Sequence, residues 1–206
     1  MAETLNKETS TDSDRPRFTM PEEEAATVRA AYEAADVILE YGSGGSTVVA
    51  AEMPGKHVVS VESDRKWARK MRNWFKSNPP AQGTEVEIVW ANIGPTRAWG
   101  HPQNDTQWRR FSSYPLGVWQ TEGFRQPDVI LVDGRFRMGC ALATAFNIKA
   151  PAQLLFDDYT DRNWMKKVEN YLGKPRLAGR LAVFDLEPQA IPADKLPQII
   201  RFMTRP

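Results

Sequence analysis

With 206 residues, the chain is long enough for one α/β domain with a sizeable core and short for two. Lys+Arg 27 against Asp+Glu 26 leaves a formal net charge of +1, so no overall field draws the protein to nucleic acid or to a membrane. A single cysteine, Cys140, excludes an internal disulfide, no apolar run nears the ~20 residues of a membrane helix, and the N-terminus has no signal-like apolar core, so a cytoplasmic location is expected.

Residues 1–18 are rich in Thr, Ser, Glu, Asp and Lys and offer little to bury, which predicts a disordered N-terminal tail followed by a single domain over 19–206. Thr19 caps a first helix, Pro21 suits its first turn, and Glu22, Glu23 and Glu24 complement its positive end. Val28, Ala31, Tyr32 and Ala35 then fall on one stripe, ready to pack on a sheet.

An apolar run, Val37 to Leu39, predicts a buried strand closed by Glu40. Gly42, Gly44 and Gly45 let the backbone turn and approach a ligand without a Cβ in the way. Ser46 or Thr47 caps a helix that continues through Val48. Strand, glycine turn and helix start together form a nucleotide-type site at the carboxyl end of the strand. His57 to Glu62 reads as a second strand ending in a carboxylate, a group able to accept hydrogen bonds from both hydroxyls of a ribose. The dinucleotide fingerprint G-x-G-x-x-G fails, because Thr47 stands at the third glycine position. An ordinary Gly/Ser turn beside an unrelated glutamate is the alternative left open.

Ser63 or Asp64 caps the next helix, whose face of Trp67, Met71, Trp74 and Phe75 reads as core, and Asn78-Pro79-Pro80 ends it. Val86 to Asn92 is a third strand with a polar end. Residues 93–126 break the pattern with Gly-Pro, His-Pro and Tyr-Pro steps, yet carry Trp99, His101, Trp108, Arg109, Arg110, Phe111, Tyr114 and Trp119. So long a loop with so many aromatics is read as a partly helical lid that recognises substrate, or else as a structural or dimer-forming excursion.

Pro127 to Asp133 is a buried strand ending in a carboxylate; Gly134 turns the chain, and Phe136 to Ile148 forms a helix apolar nearly all round, buried or at an interface, which leaves a homodimer open. Ala152 to Asp157 is the fifth strand, followed by Asp158. Thr160 or Asp161 caps a helix with Trp164, Val168, Tyr171 and Leu172 inward. Leu181 to Leu186 and Gln198 to Met203 are read as a final antiparallel pair. The fold class is α/β: a doubly wound, mostly parallel, seven-stranded Rossmann-like sheet with an antiparallel C-terminal strand.

The pattern Glu40-x-Gly42-x-Gly44, with Glu62 ending the next strand, resembles the first two motifs of class I S-adenosylmethionine-dependent methyltransferases, over residues 19–206. The resemblance implies S-adenosylmethionine as cofactor. Glu40 would face its methionine ammonium, and Tyr41, Gly42, Ser43, Gly44 and Ser46 would form the turn beneath it. Glu62 would bind the ribose and Ser63 would lie near the adenine, while Asn92 would stand where the family usually has an acidic contact to the adenine amine.

Such a site performs an in-line displacement onto a small polar or anionic acceptor, at oxygen. His101, Asp133 and Arg135 are the candidate catalytic residues. His101 also reads as a plain turn residue, and Arg135 and Arg137 either clamp an acceptor carboxylate or phosphate or pair structurally with Asp133 or Asp157. Asp133, Asp157 and Asp158 resemble the ligand set of metal-dependent O-methyltransferases of the catechol and macrocin types, implying magnesium, unless Arg135 fills the metal's place. A nucleic-acid methyltransferase is disfavoured, since Asp133-Gly134-Arg135-Phe136 stands where an Asn/Asp-Pro-Pro-aromatic motif belongs. A protein that binds the cofactor without transferring methyl is the remaining alternative.

Overall fold

The structure, a computed structural model, describes residues 14–206. Of the tail expected over 1–18, residues 1–13 lie outside the described residues, and the rest is laid against the domain: Arg15 Nη1 meets Glu52 Oε1 at 2.6 Å.

Helix α1 (Glu22–Ala34) starts after Pro21 rather than from a Thr19 cap, with its three glutamates in the first turn. Strand β1 (Val37–Tyr41) is buried at every position. Successive side chains of a strand point to opposite faces, so Ile38 joins Val28, Tyr32, Leu131 and Leu155 on one side of the sheet. Leu39 and Tyr41 join Ile130, Phe136 and Phe156 on the other. Helix α2 (Gly45–Ala51) is capped by Gly44, whose N–H donates to Thr47 Oγ1 at 3.0 Å. Strand β2 (His57–Glu62) leads into α3 (Arg65–Ser77), where the Asp64 carboxylate accepts from Trp67 N at 2.8 Å. Met71 of the expected aromatic face is buried, with Trp67, Trp74 and Phe75 packed around its cluster. Strand β3 (Glu85–Trp90) follows.

The sequence then crosses the sheet through short helical turns, among them α4 (Ser113–Leu116), to β4 (Val129–Val132), α5 (Arg137–Asn147) and β5 (Ala152–Phe156). The helix expected after residue 160 is a 3-10 turn, Asn163–Val168, passing into a single-turn α6 (Glu169–Leu172). A hairpin of β6 (Arg176–Ala178) and β7 (Leu181–Leu186) and a last helix, α7 (Leu196–Met203), complete the chain. The sheet order is β3-β2-β1-β4-β5-β7-β6, parallel except where β7 pairs antiparallel with β5 and β6.

One expected strand is corrected. Residues 198–203 are helical, and the hairpin partner of β7 is β6. Ile199, Phe202 and Met203 are buried at helical spacing against α5, and Pro197 sits in the first turn, where a missing N–H costs nothing. That contact needs Gly139, since a Cβ there would come 2.7 Å from Phe202 O. The apolar surface of α5 is thereby covered within the chain. No helix among the described residues is long and apolar enough to cross a membrane.

Winding β1-β2-β3 outward and then returning to place β4 beside β1 creates a switch point between β1 and β4. Their carboxyl ends open into a crevice there, the position at which doubly wound sheets bind ligands.

Candidate functional site

The crevice holds a cavity of about 700 Å³, within the range of small-molecule sites. Its floor is the glycine turn from Gly42 to Ser46. Glu62 and Asp64 form one side, Asp133 to Arg135 the other, and Arg97 to Gly100 a wall above.

Glu62 is the buried acid of this cavity. Its Oε1 accepts from Asp64 N at 2.7 Å and Ser63 Oγ at 3.3 Å, and its Oε2 from Ser43 N at 3.4 Å. Burial pushes its carboxyl above the usual range, and these donors pull it back. Ser63 Oγ also donates to Gly100 O at 2.9 Å, tying the wall to the Glu62 side. The Ser43 hydroxyl is shared with Ser60 at 2.7 Å, and Ser43 O accepts from Trp67 Nε1 at 2.7 Å, so the floor is held from both sides.

The other members of the expected cofactor set are placed differently. Glu40 is fully buried beneath the floor, accepting from Tyr32 Oη at 2.7 Å and from Thr47 Oγ1. Its carboxylate ends a chain from Gly44 N–H through the Thr47 hydroxyl, and does not reach the cavity wall. Burial raises its carboxyl as well. Tyr41 points to the opposite face, donating to Pro115 O and accepting from Trp119 Nε1, each at 2.7 Å. Asn92 is exposed, bonds Gly94 N at 3.1 Å, and borders a separate depression beside Trp90. Gly42, Ser43, Gly44, Ser46 and Glu62 line the cavity, and Ser63 lies directly behind it.

The segment 93–126 divides in two. Phe111, Tyr114 and Val118 are core residues. Residues 96–102 form a narrow loop, closed where Arg97 N donates to His101 O at 2.8 Å, with Trp99 at its tip, 89% exposed beside the cavity mouth. His101 and Arg135 are brought together, with Arg135 Nη1 standing 2.5 Å from His101 Nε2. A guanidinium only donates, so Nε2 must accept and the imidazole is neutral with its proton on Nδ1. Burial, followed by the positive charges of Arg135 and Arg97, lowers its pKa in agreement.

The expected metal site is not supported. Asp133, Asp157 and Asp158 do converge, but on arginines. Arg137 Nη2 lies 3.1 Å from Asp133 Oδ1 and 3.1 Å from Asp158 Oδ2. Arg162 reaches Asp158 at 3.1 Å, and Arg180 reaches Asp157 at 3.3 Å and Asp158 at 3.5 Å. Three guanidinium groups thus neutralise the three carboxylates where a cation was expected, and Arg135 is not among them. Among the described residues no His/Cys/Asp/Glu group of metal-binding form is present. Asp133 remains at the cavity. Burial, with Asp157 and Asp158 nearby, raises its pKa to about 7 against the pull of Arg137.

Residues 16–20 also line the cavity, crossing over the start of α2 so closely that a Cβ on Gly45 would meet Arg17 C at 2.1 Å. Phe18 and Met20, which pack against the core under this segment, are the apolar residues that could have signalled it. Asp64 and Trp67, read only as cap and core, belong to the site too. Their place at the first turn of a helix following an acid-ended strand is the signal that could have found them.

Among solved structures, a methyltransferase-like protein from Silicibacter pomeroyi is 65% identical, with 94% of this chain and 100% of that one aligned at a TM-score of 0.92. The O-methyltransferase TomG from Streptomyces achromogenes, involved in tomaymycin synthesis and solved in complex with S-adenosylmethionine, is 15% identical over 82% of this chain and 79% of that one. Its TM-score of 0.50 makes it a likeness of fold alone. No family model and no curated protein matches the sequence.

Proposed function

The chain belongs to the class I methyltransferase-like family, and from that premise we propose that it binds S-adenosylmethionine in this cavity and transfers the methyl group to an oxygen of a small polar or anionic acceptor. The observation that carries the proposal is Glu62, a buried carboxylate at the end of β2 facing a cavity floored by a glycine turn. The residues fit the group. Glu62 accepts from the ribose hydroxyls, and the absent side chain of Gly44, with open space around it, leaves room above the turn. When bound, the cofactor supplies an electrophilic methyl on its sulfonium sulfur.

The chain's own residues orient and deprotonate the acceptor. Asp133, with a pKa of about 7, is poised to take a hydroxyl proton near neutral pH. His101 is not, because its free lone pair already accepts from Arg135; it positions that side chain instead. The 96–102 loop limits water at the Glu62 side. Holding the reactants in line accounts for about 7–11 kcal/mol of barrier lowering, and a general base adds about 10²–10⁴-fold. The near-zero net charge supports a small-molecule acceptor rather than nucleic acid or a membrane surface. Calorimetry with S-adenosylmethionine and S-adenosylhomocysteine tests the reading: micromolar binding of both is expected, and binding of neither would end it.

A further inference from the structure

Four arginines stand around the ends of β4 and β5, and three are balanced. Arg137, Arg162 and Arg180 each face carboxylates of Asp133, Asp157 or Asp158. Even Arg180 Nε, which lacks hydrogen-bond geometry, lies 3.3 Å from Asp157 Oδ1. Among the described residues Arg135 has no such partner: its side chain bonds neutral His101 through Nη1, and its Nε is buried with no hydrogen-bond partner.

The carboxylates of the cavity each have donors other than Arg135. Glu62 is held by three donors, Asp64 by Thr96 Oγ1 and Trp67 N, and Asp133 by Arg137. Arg97, Lys66 and Lys70 border the same space and add positive charge. A partly desolvated guanidinium with no carboxylate paired to it is costly, and here it stands on a backbone fixed in place. The Arg135 backbone N–H donates to Tyr114 Oη at 3.4 Å, and its carbonyl accepts from Cys140 Sγ at 3.3 Å.

With Nη1 committed to His101, the remaining edge is Nε–H beside Nη2–H. Those two parallel donors match the two oxygens of a planar carboxylate. We infer that Arg135 is a carboxylate clamp in the methyl-transfer cavity, with His101 fixing its orientation. The inference rests on the reading of this cavity as the methyl-transfer site. The carboxylate belongs either to the acceptor or to the amino-acid end of the cofactor, two sources with one chemistry.

The test uses acetate as probe in thermal melts of the whole protein, against acetamide and sodium chloride at matched ionic strength. Acetate alone should raise the wild-type melting temperature, by about 2–4 °C near saturation. Arg135→Gln should abolish the rise. Arg135→Lys, which keeps the charge but loses the fork, should lose most of it. Persistence of the acetate effect with saturating S-adenosylhomocysteine supports an acceptor carboxylate. Its loss with that ligand but not with 5′-methylthioadenosine, which lacks the amino-acid end, supports the cofactor's own carboxylate. No acetate-specific rise in wild type, or an equal rise in Arg135→Gln, overturns the clamp. The melting shift from S-adenosylhomocysteine itself reports separately on the methyl-transfer reading, so the two failures are distinguishable.

Discussion

Gly42 and Gly134 meet backbone to backbone across the switch point: a Cβ on Gly42 would lie 2.8 Å from Gly134 Cα, and Gly42 itself holds a φ of +107°. The turns that follow β1 and β4 are therefore nested. On its other side Gly134 is closed by Tyr114, whose Oη would sit 2.1 Å from an added Cβ. Glycine turn, acid-bearing turn and the 93–126 segment form one packed unit, which is why Asp133 and Arg135 line the same cavity as Glu62.

Gly134→Ala should accordingly destabilise the fold by about 1–3 kcal/mol, the usual cost of overpacking. Its backbone needs no positive φ, so the effect is steric. Because the nearest obstacle is a hydroxyl oxygen, adding Tyr114→Phe should restore part of the loss. Urea unfolding of the single and double variants checks this, and equal stability of Gly134→Ala and wild type would disprove the nesting.

The five parallel strands were legible because each leads into an acid or amide at its carboxyl end, a pattern that puts Glu62 and Asp133 at one edge of the sheet, whereas the short, exposed β6 carries no such signal. The C-terminal helix was not, since Gln198 to Met203 is too short for periodicity to separate helix from strand; burial against Gly139 decides it. Glu40 could not be assigned from sequence because its partners on the flanking helices, Tyr32 of α1 and Thr47 of α2, determine whether a strand-end acid meets ligand or protein. The acidic trio was visible, and Arg162 stands four residues after Asp158, but Arg180 reaches the cluster from the β6–β7 hairpin, which sequence order does not place beside it.

These placements give opposite expectations for three residues. Glu62→Ala should weaken S-adenosylhomocysteine binding at least about tenfold, as a charge-assisted hydrogen bond contributes about 1.5–3 kcal/mol. Asn92→Ala, exposed and away from the cavity, should change it by no more than about twofold. Glu40→Gln should act through stability first, by disturbing the Tyr32 and Thr47 bonds. Calorimetry paired with thermal melts separates the three, and a large binding loss in Asn92→Ala would move the adenine end elsewhere.

Arg137 is the keystone of the acidic cluster, 6% exposed and shared by Asp133 and Asp158 at 3.1 Å each. Arg137→Met leaves buried carboxylates under-compensated and should cost about 3–5 kcal/mol. Magnesium should give wild type neither heat nor a melting shift, because guanidinium groups already fill the cluster. A magnesium-dependent rise in wild type, or an unchanged stability in the variant, would reinstate a cation site.

The last expectation follows from Asp133, whose pKa stands at about 7 in the fold and near 3.9 in an unfolded chain. Burial is the first cause, with Asp157 and Asp158 adding to it and Arg137 opposing, so the titration belongs to the cluster as a unit. A raised carboxyl favours the protonated folded form. Its contribution to stability is thus complete below about pH 4, declines as the unfolded chain ionises, and is lost as pH rises through about 7. The Asp133 side chain is 38% exposed, so solvent screening makes the slope shallower than one full proton would give. Activity should run the other way. If Asp133 accepts the acceptor's proton, the ionised form is the active one, and kcat should climb through about pH 7 and level off above it. Asp133→Asn should flatten the stability slope between about pH 4 and 7 and lower kcat by about 10²–10⁴-fold, with S-adenosylhomocysteine affinity nearly kept. Stability measured by urea across that window, beside a pH–rate profile of both proteins, checks the pair. Should the variant retain the wild-type slope and rate, Asp133 is neither the titrating group nor the base.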